Sequence, residues 1–458
     1  MSSNTVFFAR LRGWLRMLSG ASVRHAHQRV FRTSVSRLLL LFTLSALAAS
    51  GARAQSAATT ANQKRWTLSE LYAQAWANDP VAKLGEAIDA EAKAKQERAT
   101  SWLAGPPSLD AGIRTDAITK SSSREGLREI EFEVTAPIAT SHRRSLQAAT
   151  ANAEAATQRA AIESQRLKLA GEVRETYWAA RAAESDLKLA EDEAMRAKSL
   201  AADSARRTRA GESARVDTLQ AEAAVQLAEA AVTEARGKLN ASYALLTQLV
   251  GGARNDVTAP SVTAIAESRE SKPTSHIPSQ SHASLTQARL ASAAARARLD
   301  EANRVSSEPP SAKFTLANER TNEGGSKSSA RIGFSIPFDA AFRFGNFNAP
   351  RAAQATRELA EADGAALSAE RTVLGEIRVA ELALATAEAR VPLVKRRAEL
   401  ASEAASLYEK AFRLGELDLP TRLRIEGERA NAVRDAARGE LQVEHAISRL
   451  QQALGNLP

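Results

Sequence analysis

Hydrophobic residues in this chain follow two rhythms, a period of two over short stretches and steps of three and four over long ones. Leu109, Ala111 and Ile113 alternate with Asp110, Gly112 and Arg114. After a polar interval from Lys120 to Gly126, Ile130, Phe132 and Val134 alternate with Glu129, Glu131 and Glu133. The pattern returns at Phe314 and Leu316, then at Ala330, Ile332, Phe334, Ile336 and Phe338, with Arg331 and Ser335 on the opposite parity. Such alternation predicts strands, here at about 107–117, 127–138, 311–321 and 328–338. The remainder reads as helix. Thr67-Leu-Ser-Glu70 is a capping box that opens a helix predicted to run to about Leu103. From about Ala139 to Arg207 there is no proline and one glycine, in a stretch dominated by Ala, Leu, Glu and Arg. Val216, Leu219, Ala223, Leu227 and Ala230, then Leu239, Tyr243, Leu246 and Val250, recur at helical spacing, as do Ala430, Val433, Ala437 and Leu441 followed by Ile447, Leu450 and Leu454. Small and branched residues at that spacing predict closely packed helices in a coiled-coil-like wall.

The plan occurs twice. Gly171-Glu172-Val173-Arg174 matches Gly375-Glu376-Ile377-Arg378 at an offset of 204, as Arg209-Ala210-Gly211-Glu212 matches Arg413-Leu414-Gly415-Glu416. Pro106-Pro107 pairs with Pro309-Pro310, and Pro137 with Pro337. Ordered matches at one period indicate duplication. The expected division is a first repeat over 55–251, a Ser- and Pro-rich linker or equatorial segment over 252–281, and a second repeat over 282–458.

Residues 1–54 differ from the rest. They hold eight arginines, no acidic residue, an apolar run from Leu38 to Ala49 and an Ala52-Arg53-Ala54 ending. That is the layout of a cleaved secretory signal, with Met17 as an alternative start. Its apolar run is too short for a membrane-spanning helix. Without it the 62 basic residues fall to 54 against 53 acidic, and the net charge drops from +9 to +1. The basic pI therefore belongs to the leader and argues for no nucleic-acid partner. Cysteine is absent, which excludes disulfides and the acylated cysteine of a lipoprotein. His142, His276, His282 and His445 are scattered, and Met195 is the one methionine left. No metal-ligand spacing, nucleophile motif or cofactor site is legible, so catalysis is not expected.

Strands that alternate apolar and charged, in an exported chain, suit a wall with lipid on one side and water on the other. Four strands cannot close a barrel, and open edges are not tolerated in lipid, so the barrel must be shared among chains. About 70 helical residues from Ala139 reach on the order of 100 Å. Two shorter helices, about Trp66 to Leu103 and Ser213 to Val250, could stack end to end beside that rod.

Val134-Thr-Ala-Pro137-Ile and Phe334-Ser-Ile-Pro337-Phe, Tyr177-Trp178, the turn Arg209-Ala-Gly-Glu-Ser-Ala-Arg-Val-Asp217 and the run ending Leu246-Thr-Gln-Leu-Val-Gly251 stand in order along the chain. As a series over residues 66–456 they resemble the outer-membrane efflux protein (TolC-like) family. The resemblance implies a mainly α fold with a small transmembrane β part: a homotrimer whose 12-stranded outer-membrane barrel continues into a 12-helix periplasmic α-barrel. It implies a passive export duct that works with a periplasmic adaptor (membrane fusion) protein and an inner-membrane RND transporter. Ile336-Pro-Phe-Asp339, Ala349-Pro-Arg351 and Arg413-Leu-Gly-Glu-Leu-Asp-Leu-Pro420 look like the heavy-metal (CzcC-type) branch. A multidrug, organic-solute or type I secretion channel is the alternative. A periplasmic coiled-coil scaffold or adaptor, outside the membrane altogether, is the alternative of another class.

Gly211 and Gly415 suit left-handed helix ends, and Ser213 can cap the next helix. The resemblance places the adaptor-contacting tip at Ala210, Gly211, Glu212 and Ser213 and at Leu414, Gly415, Glu416 and Leu417. It places a periplasmic aperture at Asp217, while Thr421 and Arg424 stand where the best-known members carry acidic residues. Asp217 also reads simply as a solvated helix residue. Glu129, Glu131 and Glu133 are expected to line the barrel lumen. Phe338, Phe342, Phe344 and Phe347 are candidate interfacial anchors, or packing residues between strand and helix.

Overall fold

The computed structural model describes residues 65–115, 127–251, 262–274, 278, 282–305, 308–321, 324–337 and 348–458. The leader, the stretch between the first two strands, His276 and the four phenylalanines at 338–347 lie outside them. In chain order the elements are α1 (Leu68–Asn78), α2 (Leu84–Thr100), β1 (Ser108–Thr115), β2 (Arg128–Pro137), α3 (Ser141–Arg209), α4 (Arg215–Gly251), α5 (Ala283–Arg304), β3 (Ser311–Arg320), β4 (Lys327–Ser335), α6 (Ala349–Leu414) and α7 (Leu419–Ala453).

The Thr67 capping box forms, with the Thr67 hydroxyl accepting from the Glu70 N–H and the Glu70 carboxylate accepting from the Thr67 N–H. The helix it opens does not reach Leu103. Asp79 is extended, as a residue before proline must be, and Pro80 to Lys83 form a 3-10 turn before α2 begins. Asp79 covers the break by accepting from the Val81 N–H at 2.7 Å. The expected end-to-end column does exist. α1 packs against both α3 and the end of α4, where Asn78 donates to the Val250 carbonyl.

α3 is a single helix of 69 residues capped by Thr140, and α6 runs for 66. Toward the sheet the helices stand in the order α2, α3, α5, α6, and toward the far end in the order α4, α3, α7, α6. The described helices thus form a layer one helix thick, whose outer columns pack on one side only among the described residues. Its main core lies midway, where Leu68, Leu71, Tyr72 and Ala75 of α1 meet Val173, Tyr177 and Trp178 of α3 and Leu246 and Val250 of α4. Leu71, Tyr177 and Leu246 are fully buried there, worth ~1.5–3 kcal/mol each for aliphatic or aromatic side chains.

The presumed linker belongs to this core. Val262 and Ile265 are buried in it, Trp66 and Ile265 form a parallel bridge, and the Ser268 N–H donates to the Tyr177 hydroxyl, which itself donates to the Ala266 carbonyl. Beneath it Arg174, almost fully buried, donates to Glu270 at 2.6 Å, to Gln452 and to the Asn456 carbonyl, while Ser448 also donates to Glu270. One guanidinium therefore fastens α3, the 262–274 segment and the end of α7. Its counterpart at the 204-residue offset, Arg378, is exposed and pairs with Glu381 one turn away.

α7 ends in a left-handed Gly455 with φ +85°, where a Cβ would stand 2.7 Å from the His282 ring. His282 is buried against that turn and hydrogen-bonded to the Ala453 backbone, and burial lowers its pKa. His445, stacked on Trp178, is also lowered, chiefly by burial, with Glu175 opposing.

Two stability predictions follow. Glu270→Ala strands a buried cation and should cost ~3–5 kcal/mol, by the measure of broken buried pairs; a melting temperature within a degree of the parent would refute the fastening role. For both histidines the folded pKa lies below the ordinary 6.5, so the unfolded chain binds more protons as the medium acidifies. Stability should hold above about pH 6.5 and fall below it, and His282→Gln should flatten that decline in a melting series from pH 7.5 to 5.

Candidate functional site

Three surfaces carry the expected function: the two faces of the sheet and the far end of the helices. The strands pair in sequence order, all antiparallel, with β2 beside β3 so that the central pairing joins the two halves of the chain. Register sorts their residues cleanly. One face carries the cross-sheet rows Leu109–Val134–Phe314–Ile332 and Ala111–Phe132–Leu316–Ala330. The other carries Asp110–Glu133–Thr315–Arg331 and Arg114–Glu129–Glu319–Lys327. No described residue covers the apolar face, where Ile113 is 78% exposed, Ile332 74% and Phe132 48%. An apolar band of that size on a water-facing surface is a large unfavourable exposure. Strands of eight to ten residues are long enough to cross a bilayer when tilted. No described helix is long and apolar enough to do so.

Glu129, Glu131 and Glu133 share the charged face and are half-covered. Glu133 accepts from Lys313 at 2.9 Å and from Thr135 and Thr315, and Glu129 lies 3.7 Å from Arg114. Acidic and basic residues from all four strands therefore share one charged face, with Glu133 of β2 answered by Lys313 of β3 and Glu129 of β2 by Arg114 of β1. Ile336 falls just past the end of β4, so the last strand is shorter than its alternation suggested.

At the far end both long helices finish in the same hydrogen-bonded turn. The Glu212 N–H donates to the Arg207 carbonyl and the Gly211 N–H to Thr208; Glu416 and Gly415 donate likewise to Ala411 and Phe412. Gly211 has φ +78° and Gly415 φ +80°, the left-handed conformation that closes a Schellman motif. Ser213 shares a hydrogen bond with Thr208, which also bonds Thr218. The two turns are fastened side by side. Arg207 donates to the Phe412 and Arg413 carbonyls and lies over the Phe412 ring, with Arg422 also within 5.0 Å of that ring's centroid. Ala210, Gly211, Glu212, Leu414, Gly415 and Glu416 are exposed at this end. Leu417 instead turns inward, against a small core of Leu200, Ala221, Phe412 and Leu419.

Asp217 is half-buried in the first turn of α4, where a carboxylate is favoured by the helix dipole. Thr421 is half-buried, and Arg424 pairs with Glu428 one turn along α7. Among the described residues no cluster of His, Cys, Asp or Glu could hold a metal ion. Sequence reasoning missed the pairing of Arg174 with Glu270 because they lie 96 residues apart and the duplicated motif that holds Arg174 says nothing of its partner.

Residues 86–252 match the family model described as outer membrane efflux protein. The fold is that of solved outer-membrane channels. The OprN outer-membrane channel matches with a TM-score of 0.65 at 18% identity, over 85% of this chain and 90% of that one. The VceC outer membrane protein of Vibrio cholerae matches at 0.66 and 14%, over 85% and 96%. The CmeC outer membrane channel of Campylobacter jejuni matches at 0.65 and 16%, over 85% of each. No curated protein matches the sequence. The family that the motifs resemble, the outer-membrane efflux proteins, is the one whose model matches, over residues 86–252.

Two outcomes check the surfaces. Phe132→Glu with Leu316→Glu places two charges in the apolar band at ~2–4 kcal/mol each at a bilayer midplane; the double variant should leave the outer-membrane fraction while Glu131→Gln stays. Gly211→Val with Gly415→Val forces β-branched residues into a left-handed conformation costing ~1–2 kcal/mol each. Export should be lost with membrane insertion intact, and normal resistance in that variant would refute the tip assignment.

Proposed function

We propose that the chain is the outer-membrane duct of a tripartite efflux system, assembled as a homotrimer and opened at its helical end by a periplasmic adaptor and an inner-membrane RND transporter. One observation carries this reading: among the described residues the wall has two unpartnered edges, and along its far, helical half apolar side chains stand exposed on both. In the sheet, β1 and β4 each lack a second partner. On α4, Val216, Leu219, Ala223, Leu227 and Ala230 were expected to pack within the wall but are all exposed, Leu227 to 76%. The residues that α4 turns to α3 are Ala221, Ala235, Leu246 and Val250 instead. On α6, Leu393, Leu400, Leu407 and Leu414 recur every seven residues and are exposed, Leu414 to 75%.

Large leucines on one edge and mostly smaller residues on the other are complementary for heterologous, head-to-tail contact, which closes a ring of identical copies. Two copies would supply eight strands and three would supply twelve, and the trimer follows the family resemblance. In this reading Glu129, Glu131 and Glu133 line the barrel lumen, and Ala210 to Ser213 with Leu414 to Leu417 form the adaptor-contacting tip. Residues 55–251 and 282–458 are the two repeats, joined by an equatorial segment within 252–281, and residues 1–54 are the cleaved leader.

Asp217 marks the aperture without a partner ring of acid, since Arg424 brings positive charge to the second repeat. Heavy-metal cations remain the proposed cargo on the strength of the second-repeat motifs. A duct need not ligate its cargo, so the absence of a ligand cluster does not bear on this choice. Organic solutes are the competing cargo, and the resistance spectrum of a deletion strain decides between them.

Because the chain has no cysteine, a single one introduced at Ser123 can be labelled cleanly on intact cells. Labelling supports the duct; protection of that residue together with a water-soluble monomer would refute it. Leu400→Glu with Leu407→Glu should shift the detergent-solubilised protein from trimer to monomer by native mass spectrometry, while helix content stays unchanged.

A further inference from the structure

The exposed stripes at the two edges of the wall run in opposite directions and can be set against each other by height. α6 runs toward its turn and ends at Leu414, while α4 starts from the other turn at Arg215. Arg207 fastens the two turns side by side, so Leu414 and Val216 stand at nearly one height. A rotation that relates copies in a ring leaves heights unchanged. Seven residues span ~10 Å on either helix, so each heptad on α4 keeps level with one on α6. Counting from that first pair sets Leu407 level with Ala223, Leu400 with Ala230 and Leu393 with Gly237. In return Leu219 falls level with Ala411, and Leu227 within a residue of Ala404. Each large side chain meets a small one. Gly237 is a separate observation. Glycine destabilises a helix interior, and the protomer shows no need for it, since a Cβ there would meet nothing within 4 Å beyond its own helix. Charge raises no objection: among the described residues 215–237 and 393–415 no two like charges share a level, and Asp217 comes level with Arg413 and Glu234 with Arg396.

We infer that a second copy of this chain covers each stripe in one register: Leu393, Leu400 and Leu407 of α6 seat over Gly237, Ala230 and Ala223 of the next copy's α4, with Leu414 against Val216 at the far end. The inference rests on the head-to-tail ring proposed above, and it adds which residues meet and at what height. Sliding the helices half a heptad either way brings leucine onto leucine, Leu400 beside Leu227 in one direction and Leu407 beside Leu227 in the other. The first slide also leaves Ala223 facing Ala404, so the axes are forced apart at one level while a gap opens at the next. Leucine over alanine or glycine instead lets the axes close toward the short end of the ~8–10 Å range of packed helices. A slide of a whole heptad keeps the size pattern but displaces one copy by ~10 Å along the rod, which a closed ring does not allow.

Because the chain has no cysteine, the register can be read by disulfide trapping. Ala223→Cys with Leu407→Cys puts two thiols within bonding reach across the seam, whereas Ala223→Cys with Leu400→Cys sets them a heptad, ~10 Å, apart in height. Under mild oxidation of the full-length protein in outer-membrane vesicles, the first pair should give a covalent trimer on a non-reducing gel, at least tenfold more than the second pair gives. No covalent trimer from the first pair, or as much from the second, overturns the register. A second measurement needs no oxidation. Ala230→Leu and Leu400→Ala should each lower the temperature at which the detergent-solubilised trimer dissociates, and the two together should regain at least half of that loss; additive losses overturn the seam. Native mass spectrometry of the parent protein keeps the two proposals apart. A parent trimer whose variants fail either test sinks this register and leaves the ring standing, and a parent monomer sinks the ring and the seam with it.

Discussion

A backbone amide or carbonyl cannot remain unpaired in hydrocarbon, and everything else in this molecule accommodates that fact. Four strands with a lipid-compatible face leave two raw edges. No described residue covers either one, so in the proposed duct the sheet is stable in a bilayer only as a segment of a larger cylinder. The helices inherit the same geometry. The first long helix continues from the strand before it, with Ile138 and Ala139 still bonded to Pro310 and Trp102 as the chain passes from β2 into α3. The open sheet is therefore followed by an open row of helices, with α2 and α6 as its outer members nearest the sheet.

Packing within the wall is uneven, and the unevenness is informative. α3 with α4, and α6 with α7, are close-packed pairs that use alanine and glycine at their contacts. The seam between the pairs, α3 against α7, is held largely by ions, Glu193 with Arg434, Asp186 with Arg438 and Glu175 with Arg449, and by a hydrogen bond between Glu175 and His445. Partly exposed pairs of this kind contribute little to stability and are weakened by salt. The firm attachment between the pairs is concentrated at two levels, the buried Arg174 network midway and the Arg207 contacts at the far turns.

Much of this was legible in the residues themselves. Period-two alternation located all four strands, because a side chain on a strand has only two faces to choose between. Thr67 and Glu70, Gly211 and Gly415 announced their turns because capping and left-handed backbone demand particular side chains. Less could be read where distance in sequence separated the partners. Arg174 and Arg378 occupy equivalent places in the duplicated pattern, yet one is entombed and the other solvated, because only the first lies beneath the 262–274 segment. The α4 stripe from Val216 to Ala230 signalled burial correctly in chemical terms, but the protomer does not provide the surface that buries it. Pro80 ended a helix as its chemistry requires, whereas Pro392 sits inside α6 without ending it, since the long neighbouring α7 holds the helix on both sides of that residue.

The break between α1 and α2 has a consequence for how such a chain can change its reach. α3 is continuous from the sheet to the far turn, so it acts as a ruler with no slack. The column beside it is jointed at Asp79 and Pro80, and a residue or two gained or lost there would disturb only a short turn. Lengthening the rod below that joint is another matter. It demands matched insertions in α3, α4, α6 and α7 together, in whole heptads, or the apolar stripes fall out of phase. Descendants of this architecture should therefore vary freely at the joint and in quantised, fourfold steps beneath it.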